Sequence, residues 1–178
     1  QTDDNNCQDC GPGRYSADNV ASKESFCNDC DAGTYSTTQV GTSDNVCTPC
    51  PAGRFRDQTG GKKEEDCTAC GPGRYSSDTG QDSVITCQEC RKGRYSVTDV
   101  AVNSQTCKPC GTGKFSDVTG NPAVTYCTDC PAGTSSNNEV ATKVGDCEDC
   151  KKGTYSIGGA ATCTNCVMGK YNLNEKAT

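Results

Sequence analysis

At 178 residues the chain has the length of one ordinary domain, yet hydrophobic residues are only 31%, Trp is absent, Met occurs once, and 18 cysteines supply about a third of the apolar share. So little apolar side chain cannot offset the entropy of ordering the backbone, which excludes a conventional core and places the chain among disulfide scaffolds of an oxidising, extracellular compartment. The net charge of −6 disfavours nucleic acid, and the absence of histidine removes histidine-based catalytic dyads and triads, so no enzyme is expected.

In chain order, residues 1–9 come first. They start at Gln1 rather than Met, which suits a mature form or an excised fragment, and they hold an acid pair, Asp3-Asp4, and Cys7. From Cys7 onward a Cys-x-x-Cys pair recurs every 20 residues: Cys7/Cys10, Cys27/Cys30, Cys47/Cys50, Cys67/Cys70, Cys87/Cys90, Cys107/Cys110, Cys127/Cys130 and Cys147/Cys150, with Cys163/Cys166 arriving four residues early. A period of this length marks tandem structural repeats. Residues 10–149 form seven modules, numbered 1 to 7 here; residues 150–165 form a shortened module 8 and residues 166–178 an incomplete module 9.

Three residues after each second cysteine stands a glycine: Gly13, Gly33, Gly53, Gly73, Gly93, Gly113, Gly133, Gly153 and Gly169. Two residues on comes an aromatic, at Tyr15, Tyr35, Phe55, Tyr75, Tyr95, Phe115, Tyr155 and Tyr171, with Ser135 the one departure. The Gly-x-Tyr-Ser segment predicts a short strand. The following step, as at Val20-Ala21, Val40-Gly41, Thr59-Gly60 and Thr79-Gly80, predicts a turn, and a second short strand is expected to reach the next cysteine. The predicted fold class is a small disulfide-rich protein, mostly irregular with short β-strands, in which modules touch only their neighbours in an elongated solenoid-like tandem.

Three repeating pairings remain open: within each Cys-x-x-Cys, across modules as in Cys7 to Cys30, or closing each module. The third is preferred, because one such closure contributes about 3 kcal/mol to a module with almost no core. It pairs Cys10–Cys27, Cys30–Cys47, Cys50–Cys67, Cys70–Cys87, Cys90–Cys107, Cys110–Cys127, Cys130–Cys147 and Cys150–Cys163, with each aromatic expected over its bridge. Zinc is the rival use of Cys-x-x-Cys pairs, but nine pairs cannot all be used in fours, so neither metal nor cofactor is expected.

Cys-x-x-Cys-x-x-Gly-x-Tyr-Ser with a closing cysteine about 17 residues on resembles the cysteine-rich repeats of tumour necrosis factor receptor ectodomains, and more closely the related repeats beside ephrin-receptor-like modules. In that family the cysteine before the Gly-x-Tyr element bonds the next one along, which supports the module-closing scheme.

Cys7 and Cys166 are left over. They are candidates for an intermolecular disulfide that joins copies head to tail, with truncation of a longer repeat array as the alternative. The expected role is an extracellular structural protein that assembles into a filament or cell-surface appendage, and the alternative is a ligand-binding or adhesion ectodomain fragment of a larger receptor. Six strand aromatics follow a base (Arg14, Arg54, Arg74, Arg94, Lys114, Lys170), a stripe that could meet a polysaccharide or protein partner but reads more simply as a solvated edge. The acids Glu64-Glu65 read as hydrated loop, and Thr37, Thr38, Ser135 and Ser136 are candidate O-glycan acceptors. The aberrant modules are those with Phe55-Arg56, Ser135-Ser136 and the short Cys150–Cys163 loop.

Overall fold

The computed structural model describes residues 7–18 and 23–178; Asp3-Asp4 and the Val20-Ala21 step lie outside the described residues. The described elements are two-residue strands and three-residue 3-10 turns, repeated in step with the cysteines. Module 3 shows the plan. After Cys50 a turn places the Gly53 carbonyl, strand β1 (Arg54–Phe55) runs antiparallel to β2 (Thr68–Ala69), and the Cys70 amide closes the pair onto Gly53 at 2.9 Å.

The return strand is not where the sequence reading put it. The residues before the closing cysteine form a 3-10 turn, Glu64–Asp66, and β2 occupies the two positions inside Cys67-x-x-Cys70. The turn forms without a side-chain cap in modules 1, 2 and 6, and in modules 3 and 5 a polar side chain also ties its entry. The Asp66 carboxylate accepts the amides of Lys62 at 2.7 Å and Lys63 at 3.3 Å, and in module 5 the Asn103 side chain accepts the amide of Gln105 at 2.9 Å. Such local bonds offer backbone amides a partner that a ladder would otherwise supply.

Eight disulfides close the modules: Cys10–Cys27, Cys30–Cys47, Cys50–Cys67, Cys70–Cys87, Cys90–Cys107, Cys110–Cys127 and Cys130–Cys147 with a separation of 17, and Cys150–Cys163 with 13. Their Cα–Cα distances of 5.5 to 5.8 Å lie in the ordinary range. The cystines are also the buried layer, Cys30, Cys50, Cys90 and Cys150 being fully inaccessible. The aromatics are only half-buried at Tyr15, Tyr35, Phe55, Tyr75, Tyr95, Phe115 and Tyr155, so the ring is a flank of the module rather than its centre. The buried partner of the cystine is the serine one position later: Ser36, Ser76, Ser96, Ser116, Ser136 and Ser156 are 1 to 4% exposed. A small hydroxyl fits there because the next module packs directly against it. Its own backbone amide is satisfied by that module, as in Ser36 to the Gly61 carbonyl at 2.8 Å and Ser116 to the Ala141 carbonyl at 3.1 Å.

The chain divides into two compact units, one of residues up to Cys70 with Ser76–Gln88, the other of Gly71–Tyr75 with Glu89–Thr178. Within the first unit the strand at Gly33 donates its amide to the Arg56 carbonyl at 2.8 Å, and Tyr35 bridges Gly61 in parallel. Within the second, Gly93 donates to the Ser116 carbonyl at 3.0 Å and Tyr95 bridges Asn121. Each first strand is therefore flanked on one side by its own return strand and on the other by the next module.

Contacts reach further than the adjacent module, against the nearest-neighbour expectation. A Cβ built on Gly33 of module 2 would lie 2.3 Å from the Gly80 carbonyl oxygen in module 4, and one on Gly113 of module 6 would lie 2.1 Å from that of Gly159 in module 8. At Gly13, Gly33, Gly73, Gly93, Gly113 and Gly133 the backbone two modules ahead occupies the space a side chain would need, whereas a Cβ on Gly153 would meet nothing within 4 Å.

The turn step also takes a different register. Ser16 donates to Gly41 and Ser36 to Gly61, so Gly61 is the counterpart of Gly41, and Gly60 stands where Val40 does. The turns take two forms. Where glycine follows the opening cysteine, its amide donates forward: Gly11 to Gln39 at 3.0 Å, Gly71 to Asp99 at 2.9 Å, and Gly111 to Glu139 at 3.0 Å. Where another residue follows, the cysteine carbonyl accepts instead: Cys30 from Gly60 at 2.7 Å, Cys50 from Gly80 at 2.8 Å, Cys90 from Gly120 at 2.8 Å, and Cys130 from Gly159 at 2.9 Å. Cys150 accepts from Lys176 at 3.1 Å, and Lys176 takes φ 59 to do it, standing in a glycine position.

Candidate functional site

A polar cleft of about 540 Å³ opens in modules 7 and 8, where two of the three irregularities of the repeat meet; its lining includes Ser135, Asn138, Asp146, Glu148, Lys151 and Thr162. Two sequence changes make it. Strand β3 (Thr134–Ser135) carries serine where the other complete modules carry a ring, and module 8 is four residues shorter than its fellows. The small side chain leaves the Cys163 sulfur reachable, and Ser135 Oγ–H donates to it at 3.3 Å.

Opposite β3 runs β4 (Glu148–Asp149), with Thr134 facing Asp149 and Ser135 facing Glu148. The three carboxylates of the cleft are not equivalent. Asp146 is turned into its own 3-10 turn, accepting the Thr142 amide at 2.7 Å, its hydroxyl at 3.3 Å and the Lys143 amide at 3.3 Å. The Thr142 amide, followed by the other bonds and the Lys143 charge, holds its carboxyl below the usual aspartate range. Asp149 meets Lys176 Nζ at 3.3 Å. Glu148 is exposed and, among the described residues, has no cation within bonding distance. The arrangement offers hydroxyls and amides for hydrogen bonding and one uncommitted carboxylate for a cation. It holds no nucleophile–base pair, and no cluster of three or more metal-ligating side chains occurs among the described residues.

The other sequence candidates are placed as follows. The strand bases are largely engaged: Arg14 with Glu24 at 2.9 Å and Asp29 at 2.8 Å, Arg74 with Glu89 at 3.2 Å, Lys114 with Asp129, and Arg54 and Arg94 with the carbonyls of Cys67 at 2.8 Å and Cys107 at 2.9 Å. Arg56, at the buried serine position of module 3, donates to the carbonyls of Asp66 at 3.2 Å and Thr59 at 2.9 Å, and Gly61 leaves room for it. Glu64 and Glu65 lie in the 3-10 turn beside Asp66. Thr37 and Thr38 are exposed, whereas Ser136 is 4% exposed with its Oγ accepting the Asn138 amide; a sugar at Ser136 would have to displace the packed neighbour. Cys7 and Cys166 are unpaired, and around Cys166 the side chains of Met168, Tyr171 and Leu173 are 102, 81 and 69% exposed.

The reading from sequence marked the Ser135 and Cys150–Cys163 modules as irregular but did not bring them into one cleft. It missed the buried serines and the acids of β4 altogether. The signal for the acids was present: in modules 1, 4 and 6 a strand base stands with an acid 15 residues on, while module 7 has the acid without the base.

A ladder of module-closing disulfides, short antiparallel strand pairs and half-buried aromatics defines a tandem cysteine-rich repeat. A family model described as tyrosine-protein kinase ephrin type A/B receptor-like matches residues 19–67, the end of module 1 through the closing cysteine of module 3. No curated protein matches the chain. Over residues 19–67 the cysteine-rich repeats are similar to that receptor-like module, and among the described residues no helix is long and apolar enough to cross a membrane.

Proposed function

We propose that this chain is a segment of the ectodomain of a larger cell-surface receptor, displayed outside the cell, with the modules 7–8 cleft as its partner-facing feature. The match of residues 19–67 to the ephrin-receptor-like module carries this reading, and the eight disulfides of an oxidising compartment support it. Irregularity concentrated in one place suits recognition, since packing alone asks for the same residues in every module. An antibody against the chain is the test. It should label unpermeabilised cells and detect, under reducing conditions, a polypeptide larger than 18.6 kDa. Labelling only after permeabilisation, or a free polypeptide of the chain's own size, rejects the proposal.

A second reading, head-to-tail self-assembly through Cys166 and Cys7, is favoured by those two unpaired cysteines and the uncovered side chains beside Cys166. It calls for a ladder of multimers on non-reducing electrophoresis that collapses with thiol; a monomer throughout rejects it. O-linked sugar belongs at Thr37 and Thr38 rather than Ser136, and an intact mass without hexose-sized increments removes it.

A further inference from the structure

We infer that the Cys150–Cys163 bridge is a thiol-exchange site, at which a small thiol entering the modules 7–8 cleft attacks the Cys163 sulfur. The inference goes beyond the receptor reading and does not rest on it. In modules 3 to 7 the closing cysteines, Cys67, Cys87, Cys107, Cys127 and Cys147, are 0 to 8% exposed, whereas Cys163 of module 8 is half-buried and lines the cleft. Its bonded partner is no different from the others, for the opening cysteines Cys50, Cys70, Cys90, Cys110, Cys130 and Cys150 are all 0 to 6% exposed. These six bridges therefore share a buried leaving sulfur and differ in access to the sulfur that is attacked. Exchange requires that access, and buried cysteine is otherwise inert.

The difference traces to Ser135. One module back from the closing cysteines of modules 3 to 7 stand Tyr35, Phe55, Tyr75, Tyr95 and Phe115 in turn. For module 8 that place is held by Ser135, whose Oγ–H donates to the Cys163 sulfur at 3.3 Å and covers far less of it than a ring does. Cys47 is half-buried too, but has Tyr15 one module back; Cys27 is half-buried in module 1, with no described module before it. Among modules 2 to 8, Cys163 alone combines an accessible sulfur with a missing ring. In the exchange the thiolate bonds to Cys163 Sγ and the bond between the two cystine sulfurs breaks. Its electron pair leaves on Cys150 Sγ, which takes a proton from water, so one mixed disulfide and one thiol replace one bridge and one thiol. The C-terminal segment leans on this module: the Cys150 carbonyl accepts the Lys176 amide at 3.1 Å, and the Gly153 amide donates to Asn172 at 2.9 Å. Opening the bridge thus loosens modules 8 and 9 reversibly while modules 3 to 7 stay closed.

The probe is 2-mercaptoethanol, a small neutral thiol, given in brief pulses to the full chain after Cys7 and Cys166 have been capped with iodoacetamide. Each pulse is quenched with N-ethylmaleimide, and the adducts are located by peptide mapping without reduction. Mercaptoethanol is expected on Cys163 and maleimide on Cys150, at a rate at least about tenfold above any bridge of modules 3 to 7. Ser135→Tyr restores the ring that most modules carry and should slow exchange at Cys163 at least about fivefold. The converse variant, Tyr35→Ser, removes the ring one module back from Cys67 and should speed exchange at Cys50–Cys67 by a similar factor, about fivefold. An intact mass showing eight disulfides checks each variant, and if Ser135→Tyr fails to close them Tyr35→Ser decides. Equal rates in modules 3 to 8, an adduct on Cys150 in place of Cys163, or a correctly bridged variant whose rate is unchanged overturns the inference.

Discussion

Cys30 accepts the amide of Gly60 through its carbonyl at 2.7 Å, whereas one module earlier the amide of Gly11 donates to the carbonyl of Gln39 at 3.0 Å. The two bonds do the same job with both peptide units turned over, and each form needs its glycine, Gly60 at φ 69 or Gly11 at φ 77. The choice made after one opening cysteine thus sets what the next module's turn must contain.

This coupling is testable as a double-mutant cycle. Gly60→Val should destabilise the chain by about 1–2 kcal/mol, because a β-branched residue cannot take that φ cheaply. Adding Asp31→Gly permits the flipped form and should recover about half of the loss. Strictly additive effects in denaturant unfolding, disulfides intact, would rule the coupling out.

Gly33 separates close approach from backbone conformation. Its φ of 82 resembles the 77 of Gly11, but a Cβ on Gly33 would meet the Gly80 carbonyl oxygen at 2.3 Å, while one on Gly11 meets nothing within 4 Å. Gly11→Ala should cost about 1 kcal/mol and Gly33→Ala at least about 3 kcal/mol, the added part coming from displaced backbone. Equal losses in the two variants would mean the modules slide apart without penalty.

Acid should loosen the 3-10 turns of modules 3 and 7. The backbone amides of Lys62 and Lys63, with the Arg56 and Lys63 charges, hold the Asp66 carboxyl below its usual range, and the bonds from Thr142 and Lys143 do the same for Asp146. A carboxyl depressed in the folded state stabilises fully above its unfolded pKa of about 3.9, and that contribution is lost as pH falls through and below that value. Thermal midpoints should therefore drop below pH of about 4, and Asp66→Ala with Asp146→Ala should flatten that drop. An unchanged slope in the double variant contradicts this assignment.

Removing one bridge should act locally. Replacing Cys90 and Cys107 together by serine opens a loop with a separation of 17 and should cost about 3 kcal/mol. Limited proteolysis should then cut first between residues 90 and 107. Cleavage elsewhere first would show that stability is pooled along the chain.

The sequence by itself determined the module and its period, because those follow from counting. Eighteen cysteines spaced by a fixed number, and almost nothing else apolar, leave covalent closure as the means of offsetting chain entropy. It also marked Ser135 and the short Cys150–Cys163 loop as breaks in the pattern. Tertiary structure decided what packs against what: that Ser36 and its counterparts rather than the rings are buried, that Gly33 faces a carbonyl two modules ahead, and that the Ser135 gap and the short loop open onto the same two acids. Those facts depend on the stagger between successive modules. That stagger is set by backbone hydrogen bonds, which every residue type but proline can make, so the side-chain pattern alone carries no record of it.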